Sequence, residues 1–76
     1  MSNSTDDLVR MVNQIADFFQ SYPEDEAVEG IAGHVKDFWT PVMRRNMAAH
    51  VASGGAGLKP LAARAMEFLA KNIAMV

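Results

Sequence analysis

A chain of 76 residues with no cysteine and a net charge of -2 makes one domain, near the lower limit at which a single hydrophobic core sustains a fold unaided. Disulfides and thiolate metal ligands are excluded, so stability has to come from helix packing or from a partner. The opening Met1 to Asp7 is polar and acidic and no run of about 18 apolar residues occurs, which argues against a secretory signal and a membrane span and leads to the expectation of a cytoplasmic protein.

Residues 1–5 read as a tail and residues 6–76 as a single all-α domain of four short helices. The first apolar period is Leu8, Met11/Val12, Ile15, Phe18/Phe19 and Tyr22, spaced by three and four, and it predicts a helix over 6–21. Ser4 or Thr5 supplies a capping hydroxyl, and Asp6 and Asp7 lie where the positive end of the helix dipole favours them. Tyr22-Pro23 ends the helix, because the residue before proline is driven out of the helical region.

Pro23 followed by Glu24, Asp25 and Glu26 starts a second helix, predicted over 24–39, with Ala27/Val28, Ile31, Val35 and Phe38/Trp39 as its apolar positions. Gly30 and Gly33 lie inside it, each costing about 1 kcal/mol relative to alanine. They mark either a close approach by another backbone or bulky side chain, or a loosened helix.

Thr40-Pro41 repeats the pattern of a hydroxyl cap with proline at the first helical position and launches a third helix over 41–53, carrying Val42/Met43, Met47 and Val51 on one side. Ser53-Gly54-Gly55-Ala56-Gly57 stops it, as a left-handed C-cap and a mobile link. The fourth helix, predicted over 60–74, follows Lys59-Pro60 and shows Leu61, Ala65, Phe68/Leu69 and Ile73, with Leu58 as a hydrophobic staple. Ile15 and Phe68 are assigned to the core. Sequential helices either pack nearly antiparallel or cross more steeply, and the tight connections at Tyr22-Pro23 and Trp39-Thr40-Pro41 favour angular corners.

Charge divides unevenly between the halves. Residues 1–39 hold eight acids against Arg10 and Lys36, whereas residues 40–76 hold Arg44, Arg45, Lys59, Arg64 and Lys71 against Glu67. Such a split either holds the two halves of a small bundle together or offers a two-signed docking surface. Dedicated nucleic-acid binding is disfavoured by the few basic residues, the lack of flanking aromatics and a pI near 5.5.

Little here could build an active site. His34 and His50 fall on different helices, and neither has a second histidine or carboxylate at a recognisable zinc spacing. Gly30-x-x-Gly33 resembles the clamp of KH domains but lies in a chain without predicted strands, and Ser53 to Gly57 lacks the Lys-Ser/Thr end of a phosphate-binding loop. The segment from His34 to Arg45 is different. It gathers His34, Phe38, Trp39, Met43, Arg44 and Arg45 around one tight corner, and Trp and Arg are enriched among binding hot spots. These six are the candidate partner-binding residues, with the competing reading that Phe38 and Trp39 fill the corner's own core; one aromatic can go inward and the other out.

Three blocks, Leu8-Val9-Arg10-Met11-Val12-Asn13-Gln14-Ile15-Ala16-Asp17-Phe18-Phe19, then His34-Val35 through Phe38-Trp39-Thr40-Pro41 to Met43-Arg44, then Gly57-Leu58-Lys59-Pro60-Leu61, resemble together the delta-subunit family of NAD-dependent, molybdenum- or tungsten-containing formate dehydrogenases. The resemblance implies a non-catalytic accessory subunit that binds the catalytic alpha subunit and supports its assembly, cofactor maturation or stability. It also implies that bis-molybdopterin guanine dinucleotide with Mo or W, the iron-sulfur clusters and FMN sit on other chains, and that this chain holds no cofactor. The absence of thiolate ligands agrees with that division. Neither nucleic acid nor membrane is an expected partner, and the methionine-rich chain is expected to self-associate when isolated. The alternative is a free-standing helical regulator that binds nucleic acid or a small ligand through the basic C-terminal half.

Pro41 is read as a helix starter, so Pro41→Ala is expected to cost little stability. Proline at Ala48, in the middle of the third helix, is expected to cost about 3 kcal/mol or more. Thermal melts of the two variants compare them directly, and equal losses would mean the helix is misplaced.

Overall fold

The computed structural model describes residues 4–72, which form four helices: α1 (Thr5–Phe19), α2 (Glu24–Phe38), α3 (Pro41–Ala52) and α4 (Pro60–Asn72). The fold class is therefore the all-α one that the spacing of apolar residues predicts. Residues 1–3 of the expected tail, and Ile73 with residue 74 of the expected fourth helix, lie outside the described residues.

Each helix starts where its capping chemistry puts it. Ser4 is extended and its hydroxyl accepts from the Asp7 backbone N–H at 3.2 Å, satisfying one of the four donors that a helix start leaves free. The Asp7 carboxyl is held below its usual range, first by its hydrogen bond with Ser4 and then by Arg10, 2.8 Å away. Thr40 caps α3 in the same way, accepting from Met43 N–H at 3.2 Å with Pro41 behind it. The end of α1 differs from the expectation of Ser21. Helical bonding stops at Phe19, and the Tyr22 N–H turns back to the Phe19 carbonyl at 3.0 Å, because the approach to Pro23 already draws the chain out of the helix.

The most extensive helix pair is α2 with α4, and it is built on small side chains. Ala27 and Ala32 on α2 and Ala62 and Ala65 on α4 are all buried, alongside Ile31, Val35, Met66 and Leu69. Alanine at the contact lets two helices approach closely, since interaxial distance follows side-chain size. α1 adds Leu8, Val12 and Ala16 to the same core, and α3 adds Met47. Ile15 and Phe68, expected at the centre, are only half buried and pack on its margin, because the fully buried line on α1 runs through 8, 12 and 16, and on α4 through 62, 65, 66 and 69. Val42 is likewise exposed rather than facing inward. α2 and α3, though adjacent in the chain, touch least of all the pairs, which is the angular corner favoured by so short a connection.

Of the two glycines inside α2, one carries a packing duty. A Cβ on Gly30 would lie 2.5 Å from Cε1 of Phe19, so the ring of α1 sits directly over that backbone; nothing lies within 4 Å of the same position at Gly33.

The link after α3 is tied down rather than free. Gly55 N–H bonds back to the His50 carbonyl at 2.9 Å and Gly54 N–H to the Val51 carbonyl at 3.0 Å, the paired bonds of a Schellman cap, with Gly55 at φ +64. Beyond the cap, the Asn13 side-chain amide donates to the Gly57 carbonyl and accepts from Lys59 N–H, both at 2.9 Å, while Lys59 Nζ reaches Asp17 at 2.7 Å. His50 Nε2 donates to the Ala56 carbonyl at 2.8 Å. The Leu8–Phe19 block and the Gly57–Leu61 block, more than forty residues apart in the chain, thus meet through one asparagine and one ion pair.

The two glycines should respond oppositely to alanine. Gly33→Ala is expected to stabilise by about 0.5–1 kcal/mol through helix propensity alone. Gly30→Ala has the same gain but must displace the Phe19 ring, and overpacking of about 1–3 kcal/mol makes the net change destabilising. Urea unfolding of both variants measures the difference; a stabilised Gly30→Ala protein would show that the ring moves aside freely.

Candidate docking site at the α2–α3 corner

The corner is made by backbone constraints. Thr40 precedes Pro41 and is held extended, at φ -71 and ψ 161, and Trp39 before it is already extended at φ -90 and ψ 144 while its N–H still bonds to the Val35 carbonyl at 2.9 Å. Two extended residues between helices turn the chain and separate the directions of the neighbouring side chains. Trp39 goes inward, 5% exposed in the core cluster; Phe38 goes outward, 72% exposed. Trp39 therefore packs in the core, as the competing reading of the corner has it, while Phe38 does not. Trp39 belongs to the same buried cluster as Val35 and Met47.

Phe38 does not stand alone. The imidazole of His34, one turn earlier, lies 4.7 Å from its ring centroid at an angle of 34°, an exposed stack of the i, i+4 kind. Both rings line a groove of about 430 Å³, together with Trp39 and Met43 from the corner and Met11, Gln14, Ile15 and Phe18 from α1. The structure brings four of the six candidate residues, His34, Phe38, Trp39 and Met43, to one concavity. Arg44 and Arg45 follow Met43 on α3 and do not line the groove.

The α1 wall is the part that the sequence reading missed. A signal for it exists: Met11, Ile15 and Phe18 stand at i, i+4, i+7, a second apolar line beside the buried 8, 12, 16, so the stripe on α1 is wider than one core needs. Phe18 is 70% exposed at the end of that line, its ring edge-on to Phe19 at 5.1 Å.

Charge around the corner is unevenly used. Lys59 pairs with Asp17 at 2.7 Å and Arg64 with Glu24 at 3.3 Å, each pair linking the basic half of the chain to the acidic half. Arg44 and Arg45 have no carboxylate partner among the described residues, and Nε of Arg44 is buried without any hydrogen bond. Because Lys59 and Arg64 are paired, Arg44, Arg45, Lys59 and Arg64 do not form one free basic surface of the kind a nucleic-acid backbone needs.

Other chemistry has little to work with. Among the described residues no three of His, Cys, Asp and Glu stand together as a metal would require, and no helix is long and apolar enough to cross a membrane. Gly30 and Gly33 lie within α2, not in a loop.

Comparison with known families places residues 7–66 of the chain on the model of the NADH-dependent formate dehydrogenase delta subunit FdsD. No curated protein and no solved structure matches it significantly.

The two aromatics of the corner should separate in a stability assay. Trp39→Ala is expected to cost about 3–5 kcal/mol, enough to unfold a domain of this size. Phe38→Ala should stay within about 0.5 kcal/mol of the parent, as surface changes do. Equal losses in chemical denaturation would reassign Phe38 to the core.

Proposed function

The chain belongs to the delta-subunit family of NADH-dependent formate dehydrogenases, and from that premise we propose that it is a non-catalytic accessory subunit which docks on the catalytic alpha subunit through the α2–α3 corner and supports that subunit's assembly, cofactor maturation or stability. Family membership implies partner subunits; what supports this particular face is a groove lined by an exposed Phe38, together with Arg44 and Arg45 in the first turns of α3, unpaired among the described residues. An exposed aromatic supplies area to bury, and guanidinium forks match carboxylates bidentately. In this reading the protein works in the cytoplasm.

The cofactors of such a complex, bis-molybdopterin guanine dinucleotide with Mo or W, iron-sulfur clusters and FMN, lie in this reading on its other chains. This chain has no cysteine to ligate an iron-sulfur cluster, which supports that division. What this chain contributes is surface. A small domain whose core holds five alanines is marginally stable by itself, and a partner that covers Phe18 and Phe38 stabilises it by mass action while being held by it.

Replacing Arg44 and Arg45 together by alanine should leave the helical circular dichroism unchanged, since Arg45 is exposed and Arg44 keeps a buried donor without a partner. Association with the alpha subunit should fall by about 2–5 kcal/mol, or roughly 30-fold to several thousandfold, if the pair meets carboxylates in a partly buried interface. Co-purification and formate-dependent NAD reduction of the assembled complex, at low and high salt, read this out. Full recovery of the complex with unchanged activity would remove the corner from the docking surface.

A further inference from the structure

We propose that the groove between α1 and the α2–α3 corner receives an acidic amphipathic helix of the larger subunit, with its apolar side chains against Met11, Ile15, Trp39 and Met43 and its carboxylates on Arg44 and Arg45. This rests on the docking reading above and adds the chemistry of what docks.

The groove itself sets the apolar requirement. Trp39, 5% exposed, forms its floor, Phe18 and Phe38 stand at about 70% exposure on α1 and α2, and among the lining residues only Gln14 and His34 are polar. Methionine at two wall positions gives a surface that reshapes around an incoming side chain, as in grooves that accept amphipathic helices. Addition of a strand is not available, because the described residues contain no sheet edge to extend.

The charge requirement comes from what the fold leaves unpaired. Lys59 and Arg64 are engaged with Asp17 and Glu24, whereas Arg44 and Arg45, directly after the groove residue Met43, meet no carboxylate among the described residues. A carboxylate gripping an arginine side-on uses Nε together with one terminal nitrogen, and Nε of Arg44 is the buried donor without an acceptor. Turning that half-buried guanidinium outward presents the fork to a partner.

The acidic run of a second copy of this chain meets the requirement poorly. That run, Glu24 to Glu29 on α2, flanks Ala27, Ile31 and Ala32, which are buried in the chain's own core and have no free apolar face to insert. A segment of the larger subunit that carries acids beside apolar residues spaced by three and four meets the requirement, and a second copy is an outcome the test distinguishes.

The test uses the full chain co-expressed with the catalytic alpha subunit, with photoreactive benzoylphenylalanine replacing Phe18 or Phe38 and, as a control, the exposed Ala70 of α4. On irradiation, positions 18 and 38 are expected to join one and the same segment of the alpha subunit, bearing carboxylates beside apolar residues at helical spacing, and position 70 is expected not to join it. Neutralising those carboxylates should weaken the complex about tenfold or more, and exchanging the charges, with Arg44→Glu and Arg45→Glu against lysines on the segment, should restore part of the loss. If the complex forms but the crosslinks land on a segment without carboxylates, on a second copy of this chain, or nowhere, the groove proposal falls while docking on the alpha subunit stands. If the unmodified chain forms no complex with the alpha subunit, both fall together.

Discussion

The close seam between α2 and α4 is the contact on which the rest of this small protein depends. The two helices bury Ala27, Ala32, Ala62 and Ala65, small side chains that let backbones approach, together with Ile31, Val35, Met66 and Leu69. With few large side chains available, a domain of this length gains most by bringing helices close, since dispersion contacts are lost quickly across even a small gap. α1 and α3 then lie over the seam and contribute Leu8, Val12, Ala16 and Met47. Larger residues at the four alanine positions would force the helices apart and disturb every other contact, the Trp39 corner included.

Electrostatics contributes differently inside and outside the fold. The two cross-half ion pairs, Lys59 with Asp17 and Arg64 with Glu24, are half exposed on both partners, and pairs of that kind are worth between nothing and about 1 kcal/mol each. Their value lies in register: together with the two-way amide bond of Asn13 they fix where the Gly57–Lys59 segment meets α1. The bundle-holding reading of the charge split accounts for Lys59 and Arg64 and leaves Arg44 and Arg45 without a carboxylate among the described residues. Lys59 and Arg64 face inward to the acidic half, and Arg44 and Arg45 do not.

The groove arises where the apolar stripe of α1 is wider than the core it packs on. A core of this width cannot cover both apolar lines of α1, so Met11, Ile15 and Phe18 remain at its margin, where the sharp turn at Trp39-Thr40-Pro41 sets Phe38, His34 and Met43 opposite them. The backbone of the corner is extended and capped, which makes the concavity a consequence of rigid geometry rather than of a flexible loop.

The sequence by itself determined the elements. Hydroxyl caps at Ser4 and Thr40, prolines at 23, 41 and 60, and the glycines after Ser53 place the starts of four helices and the ends of the first three to within about two residues, since these signals act on the local backbone whatever the tertiary context. It also carried the three blocks on which the family resemblance rested, and the family match spans all of them. The helix partners, the faces and the groove needed the tertiary structure. Nothing local says that α2 pairs chiefly with α4, because alanine has no strong periodic signature and the large residues Ile15 and Phe68 drew the core towards what are in fact its margins. Phe38 and Trp39 are neighbours of similar hydrophobicity. Only the direction of the chain at the corner decides which is buried, just as only the approach of the Phe19 ring distinguishes Gly30 from Gly33.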